Sequence, residues 1–429
     1  MKASKYNYYI PYEDKHIFFN GITKRFFLVS ENNKDKFIDI IEHPNNNIYQ
    51  EKYTPFIERM KKEGFIHEDE VEEKTLIKKL FEQQRCPDMY MLMILPTYQC
   101  NLRCWYCIQE HQNVNLTDEM VCRIKKHIQK YLLQTGLKKF RLSWFGGEPL
   151  LAYDKLTDLT AFAQTFCKKH GIEFFCDITT NSLLLTPERI KYLSEIGVTK
   201  YQITIDGCRE RHNQVKRTKD NTAFDKAIKN IIDIVENNQK AFCSLRINYS
   251  KETLEPEKII SDINQLIPHE YRKRIKVTPC KIWQVDEADI EPSEVKKLHT
   301  LARKEHFNIN AVERCLCYVD FTHFNCIFSN GRVGKCDNDT LENTKGVISE
   351  DGDIIWDDRY PFESHQSFSE DCECYTCKHL PFCMGPCPFK RDKMIKEFGK
   401  VVCQFIDPEK NIQKSIIRYC EKNSNIPIL

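Results

Sequence analysis

Cys100-Asn101-Leu102-Arg103-Cys104-Trp105-Tyr106-Cys107 is the stretch that decides how this chain is read. It follows closely on a short apolar run at 91–95 that has the length and composition of a strand. The spacing C-x3-C-x2-C puts three thiolates on one tight loop. Three thiolates can hold three irons of a 4Fe–4S cube and leave the fourth iron open to a small molecule. Structural zinc wants four closed ligands, usually as two separated pairs. His111 is available to complete a set, but three-then-two spacing suits zinc poorly.

The pattern around that loop sets the fold. Apolar runs at 91–95, 140–145, 174–179, 201–205, 242–247 and 275–278 are separated by amphipathic stretches such as 119–133, 156–169, 187–196 and 224–236. Repeated strand–helix units imply parallel strands in an α/β barrel or wound sheet. In such folds the chemistry sits at the carboxyl ends of the strands. The residues that follow each run are therefore the candidates.

Those residues are Gly146-Gly147-Glu148-Pro149 after the second run, Thr179-Thr180-Asn181-Ser182 after the third, and Thr204-Ile205-Asp206-Gly207 after the fourth. Glycines let backbone carbonyls come close to a cationic group, and Glu148 adds charge. Together with the cysteine loop, these segments resemble the radical S-adenosylmethionine (SAM) enzymes. The resemblance implies an α/β fold, a partial (β/α)6 barrel, with a first cluster on Cys100, Cys104 and Cys107. It also implies SAM contacts from Gly146, Gly147 and Glu148 (the family's GGEP segment), Asn181, Ser182, Thr204 and Asp206. Ser182 stands where the family has glycine, and Thr204 where it has serine. The family often continues with His and, four residues on, Arg. Here His212 is followed by Lys216 at that offset and Arg217 one later. Arg217 is taken as a candidate for the SAM carboxylate. Arg246, in Leu245-Arg246-Ile247-Asn248, is another, and a structural ion pair is the competing reading for both arginines.

Cysteine is unusually frequent, with 21 in the chain and none before Cys86. No export signal precedes them, so metal ligation is preferred to a disulfide framework. A second group runs Cys317-x13-Gly331-x4-Cys336, then Cys374-x2-Cys377-x5-Cys383-x3-Cys387-x15-Cys403. This resembles the SPASM extension, which carries two auxiliary 4Fe–4S clusters and brings the total to three. By that resemblance the second auxiliary cluster takes Cys374, Cys377, Cys383 and Cys403. The first takes Cys317, Cys336 and Cys387, with Cys315, then Cys326, then an open iron as the choices for its fourth position. Zinc is the alternative for the Cys374–Cys377 pair. Isolated cysteines such as Cys122, Cys167, Cys176, Cys208, Cys243 and Cys420 read as small buried apolar residues. Asp337 follows Cys336, as does a general base in sulfatase-maturing relatives; a turn aspartate is an equal alternative.

The segment 1–88 lacks the strand–helix alternation. Strand-like stretches at 16–20 and 25–29, a helix start at 36–41 and a helix ending at Gly64 suggest a small winged-helix-like module, with 68–85 as a helical linker. It resembles the leader-binding modules of ribosomal-peptide maturases, which capture a peptide as an added strand; a packing domain is the alternative. The expected domains are 1–88, a barrel at 89–290, and a SPASM domain at 291–429 closed by a helix at 408–421. Lys and Arg number 64 against 62 Asp and Glu, which leaves no global field for nucleic acid. No apolar run reaches membrane-spanning length, and a cytoplasmic protein is expected.

These readings converge on a radical SAM peptide maturase. A 5′-deoxyadenosyl radical would take hydrogen from a precursor peptide, giving a thioether or carbon–carbon crosslink or an epimerised residue. Its partners would be a leader-bearing peptide and an electron donor such as flavodoxin or ferredoxin. The alternatives are a formylglycine-forming sulfatase maturase and, from another class, a non-catalytic zinc-stabilised peptide scaffold.

Overall fold

Aromatic alternation opens the chain and builds a sheet. After a short β1 (Lys2–Ala3), the strands β2 (Asn7–Tyr12), β3 (Lys15–Asn20) and β4 (Phe26–Ser30) pair antiparallel in the order β2-β3-β4. Cross-strand aromatic pairs hold the register, with ring centroids 4.7 Å apart for Tyr9–Phe18 and 5.3 Å for Phe18–Phe27. Then come α1 (Glu31–Glu42), α2 (Asn47–Lys52), α3 (Thr54–Lys62), β5 (Ile66–His67) and α4 (Glu73–Gln84). One sheet face, with Phe18, Phe27 and Val29, packs on Ile40, Ile41, Ile57 and Met60 of α1 and α3.

The computed structural model describes residues 1–250, 253–282, 292–309, 316–339, 344–357, 372–399, 401, 403 and 407–423. From Met89 the expected alternation is realised. Six strands, β6 (Met89–Leu95), β7 (Lys139–Trp144), β8 (Glu173–Thr180), β9 (Val198–Ile205), β10 (Phe242–Tyr249) and β11 (Ile275–Lys281), lie parallel in chain order. The intervening helices are α5 (Asp118–Thr135), α6 (Tyr153–His170), α7 (Pro187–Glu195), α8 (Arg209–Lys216), α9 (Ala223–Asn237) and α10 (Pro256–Leu266). This is the partial (β/α)6 barrel, continued by α11 (Pro292–Lys304) and a short parallel β12 (Asn308–Ile309). At the opposite edge β13 (Phe324–Phe328) joins β6 in parallel, followed by antiparallel β14 (Arg332–Gly334), β15 (Gly346–Ile348) and β16 (Ile354–Trp356).

Period-two alternation sorts the barrel side chains. Leu92, Leu142, Cys176, Ile203, Leu245 and Val277 pack in the main core with residues of the helices. The opposite parity carries Arg141, Ser143, Asp177, Thr179, Gln202, Thr204, Arg246 and Asn248, so much of the inner face is polar, with Met91, Met93 and Phe175 among its apolar members. Cys167, Cys176, Cys208 and Cys243 lie in the main core and Cys420 in another, as isolated cysteines should, whereas Cys122 is exposed.

The remaining helices are α12 (Leu380–Cys383), α13 (Pro388–Phe398) and α14 (Pro408–Lys422). They revise the domain division. The chain forms two compact units, Met1–Pro87 with Ala311–Thr322 and Pro361–Leu429, and Asp88–Asn310 with His323–Tyr360. The expected C-terminal domain 291–429 is thus a correction: it is shared between the units. The physical reason is burial. Phe382, Ile412, Ile416 and Cys420 cover the second face of the N-terminal sheet, on Tyr8, Ile10, Ile17 and Phe19, while β13–β16 extend the barrel sheet. Nor is 68–85 a bare linker, since Ile77 and Phe81 of α4 are buried with Tyr6, Leu316, Tyr375, Leu380 and Met384. Among the described residues no helix is long and apolar enough to cross a membrane.

Candidate functional site

The cysteine loop leaves β6 through a neck held from two sides. Residues 96–99 bond to the returning segment 113–116 through Tyr98 N–H to Val114 O (3.2 Å), Leu116 N–H to Pro96 O (2.8 Å) and Gln99 Nε2 to Asn113 Oδ1 (2.9 Å). From β7, Gly147 N–H donates to Thr97 O at 3.1 Å and Glu148 N–H to Gln99 O at 2.8 Å. Gly146 has φ +115, and a Cβ there would lie 2.7 Å from Thr97 O; one at Gly147 would run into the carbonyls of Tyr98 and Gln99. The two glycines are thus needed for the close approach of two backbones at the root of the loop.

The three thiols each have a nitrogen neighbour. Cys100 Sγ accepts from Leu102 N–H at 3.4 Å and from Asn181 Nδ2 at 3.8 Å. Lys216 Nζ lies 3.7 Å from Cys104 Sγ, and His111 Nε2 lies 3.5 Å from Cys107 Sγ. The described cysteines are all free thiols. A cube spreads its three thiolates over different irons, so this donor set fits a 4Fe–4S group better than a single zinc.

Glu148 braces two loops. Fully buried, it accepts from Leu150 N–H (3.1 Å), Thr180 Oγ1 (2.7 Å) and Asn181 N–H (2.8 Å). Burial pushes its carboxyl upward, and these hydrogen bonds oppose that. Asn181 reaches from this brace to Asn101 Oδ1 at 2.7 Å, inside the cysteine loop. Ser182 has φ +66, so the backbone keeps the left-handed turn for which the family uses glycine.

Asp206 centres a second buried cluster. Its Oδ2 meets Lys216 Nζ at 2.9 Å, and its Oδ1 accepts from the Tyr106 hydroxyl and from Asn248 Nδ2 at 3.3 Å. Lys216 also lies 3.3 Å from Thr204 Oγ1. Burial pushes Asp206 up, but the Lys216 ammonium and the hydrogen bond from Tyr106 outweigh it and hold the carboxylate below its ordinary range. His212 is driven down to about 3 by burial, and its Nδ1 accepts from the Asp206 backbone N–H at 3.1 Å, which makes it a neutral imidazole. Asn248 Oδ1 accepts from Arg246 Nε at 3.0 Å, linking Arg246 to the same network.

One expected residue is corrected. Arg217 is exposed at the end of α8 with φ +54, whereas Lys216 is buried in the site. On a helix, residues four apart share a face; Lys216 therefore follows His212 inward, and the next residue turns out. Tyr106 and Asn248 were not singled out by sequence reading. Asn248 could have been, since it shares a strand face with Arg246 two residues away.

The later cysteines are placed less uniformly. Cys374, Cys377, Cys383 and Cys387 lie in the first unit on short elements between 373 and 388. Burial, then the charges of Cys372, Cys383 and Cys377, push Cys374 up to about 12, which marks Cys372 as a member of this neighbourhood. Cys403 is exposed. Cys317 belongs to the first unit and Cys336 to the second. Cys315 lies outside the described residues. Cys326 is fully buried on β13. Asp337 is half-buried, its Oδ1 3.8 Å from Cys336 Sγ.

Residues 94–263 match the Radical SAM superfamily, so the chain carries a radical SAM domain. Over 152 residues it is 33% identical to the GTP 3′,8-cyclase of Clostridium perfringens (strain SM101 / Type A), a match covering 35% of this chain and 44% of that protein. The chain thus spans less than half the length of that curated relative. The fold is shared with anSMEcpe with bound AdoMet and Cp18Cys peptide, at 18% identity, 79% of this chain, 98% of that one and TM-score 0.56. It is shared too with Streptococcus suis SuiB, at 16% identity, 93% of this chain, 97% of that one and TM-score 0.52. SuiB has also been solved bound to precursor peptide SuiA, with 17% identity, 92% of this chain, 97% of that one and TM-score 0.50.

Proposed function

We propose that this protein is a radical SAM peptide maturase that takes a hydrogen from a small precursor peptide and leaves a thioether or carbon–carbon crosslink, or an epimerised residue. When bound, the cluster and SAM supply a carbon-centred radical able to remove hydrogen from unactivated carbon. The chain's own residues position the reactants. Cys100, Cys104 and Cys107 would hold the cluster. Gly146, Gly147, Glu148, Asn181 and Ser182 shape the wall beside it. Thr204, Asp206, Lys216 and Arg246 offer the polar and charged groups that SAM's carboxylate and ribose hydroxyls require. Cys374, Cys377, Cys383 and Cys403 are proposed to hold an auxiliary cluster in the first unit, with Cys372 beside Cys374. A small redox protein such as flavodoxin or ferredoxin would deliver the electron.

One observation carries the peptide reading. Among the described residues strand β4 pairs on one side only, at the edge of the N-terminal sheet, and beside it lies a cavity of about 490 Å³ lined by Arg25, Phe26, Phe27, Arg59, Glu63 and Tyr419. An open edge beside a cavity suits an extended leader, which would add main-chain hydrogen bonds to the sheet and side chains to the cavity. The fold likeness to SuiB, which has been solved bound to precursor peptide SuiA, is in keeping with this.

A formylglycine-forming activity is the second reading, favoured by Asp337 next to Cys336 as a general base. Both are tested by co-expressing the protein with short peptides encoded beside its gene and, separately, with a sulfatase-derived cysteine peptide. A loss of two hydrogens in the neighbouring peptide, or deuterium uptake at constant mass, supports the maturase. Formylglycine in the sulfatase peptide alone supports the second reading. GTP consumption with neither peptide changed overturns both.

A further inference from the structure

We infer that His111 is a positioning residue of the iron–sulfur site: its imidazole Nε2–H hydrogen-bonds the Cys107 thiolate and raises the reduction potential of the cluster held there. The inference rests on the reading of Cys100, Cys104 and Cys107 as cluster ligands. His111 lies four residues beyond Cys107, with Nε2 3.5 Å from the sulfur. Its placement is built into the loop. The segment that follows it, 113–116, is hydrogen-bonded along its length to 96–99, the residues that launch the cysteine loop. The chain must therefore turn back sharply between Cys107 and Asn113, and it does so with His111 at φ +50. A non-glycine residue in that region is uncommon, and here it carries the imidazole to the sulfur.

His111 also completes a set. Asn181 Nδ2 faces Cys100 and Lys216 Nζ faces Cys104, so each thiol of the loop has a side-chain nitrogen of its own. Donors aimed at cluster sulfurs withdraw negative charge and favour the reduced, more negative state. Asn181 and Lys216 belong to the wall proposed for SAM, so substituting them would confound binding with potential. His111 is the member of the set outside that wall, and it isolates the electronic effect.

The test uses the full chain, reconstituted with iron and sulfide under anaerobic conditions, without SAM. The reduced-cluster EPR signal is followed through a redox titration. The spectrum of the C100A/C104A/C107A variant is subtracted, so that any other cluster cancels. His111→Phe is expected to lower the reduced-to-oxidised ratio at a fixed potential by about tenfold, which for one electron is about 59 mV. His111→Gln keeps an N–H donor and should recover most of the loss. In wild-type protein labelled with ¹⁵N-histidine, the difference signal should show one weakly coupled nitrogen, and this reading stands even if the Phe variant fails to take up iron. An unchanged potential in His111→Phe overturns the inference, as does an absent nitrogen coupling or one strong enough for an Fe–N bond. A difference spectrum with no four-iron signal removes the cluster reading itself and the inference with it.

Discussion

The two cysteine groups of this chain are built by different means. At 100–107 the three thiols stand on one loop, the neck of that loop is tied to two neighbouring segments, and each sulfur has a nitrogen partner. At 372–403 the thiols are spread over several short elements, and Cys403 faces solvent. The first group is shaped by the barrel before any metal arrives. The second is anchored by Tyr375, Leu380, Phe382 and Met384 in the cores of the first unit, but its thiols share no single loop; if they hold metal as proposed, metal binding and local folding would be coupled there.

That contrast can be broken by stripping iron. Chelation under oxidising conditions, followed by limited proteolysis, should give first cuts within 372–403, while peptides from the barrel stay protected. Early cleavage at 100–116 would show that the first loop, too, needs its metal. Next in size is the buried pair beside that loop. Lys216→Ala leaves Asp206 uncompensated and should cost about 3–5 kcal/mol in denaturant unfolding along with SAM affinity. Arg217→Ala should change stability by no more than about 0.5 kcal/mol. The reverse ranking would return Arg217 to the site.

The barrel's order also rests on polar groups away from the cysteines. His127 on α5 bonds Tyr90 Oη at 2.6 Å and Gly352 O at 2.8 Å, and burial lowers it from 6.5 to about 4. The unfolded chain therefore takes up this proton first as pH falls. Stability that is full above pH 6.5 should decline through that range and be lost by about pH 4, by about 3 kcal/mol. Unfolding curves of metal-free protein against pH check this, and His127→Gln should flatten the slope. A smaller loss, about 1–3 kcal/mol, is expected for Glu148→Gln, whose amide would turn a donor toward N–H groups that now find acceptors. Its melting temperature against wild type measures the brace; no change would mean that the neck holds without it.

How much of this was legible depended on the range of the interaction. The six barrel strands were readable because a parallel sheet leaves continuous apolar runs, and the ends of those runs pointed to Glu148, Asn181 and Asp206. The choice of Lys216 over Arg217 was not, since it turns on where α8 ends. Neither was the pairing of β13 with β6, nor the burial of the N-terminal sheet under Ile412 and Ile416, because both join segments hundreds of residues apart. Tyr106 lies within the cysteine motif, yet its hydroxyl partner Asp206 comes from another strand end.

Cys100, Cys104 and Cys107 are proposed to hold the cluster that opens SAM. The direct measurement is 5′-deoxyadenosine, quantified by mass spectrometry after anaerobic, reconstituted protein is incubated with SAM and a strong reductant. Wild-type protein should form it, and the C100A/C104A/C107A variant, still folded by circular dichroism, should form none. Absence of 5′-deoxyadenosine from iron-loaded wild-type protein, or equal formation by the variant, would contradict the claim.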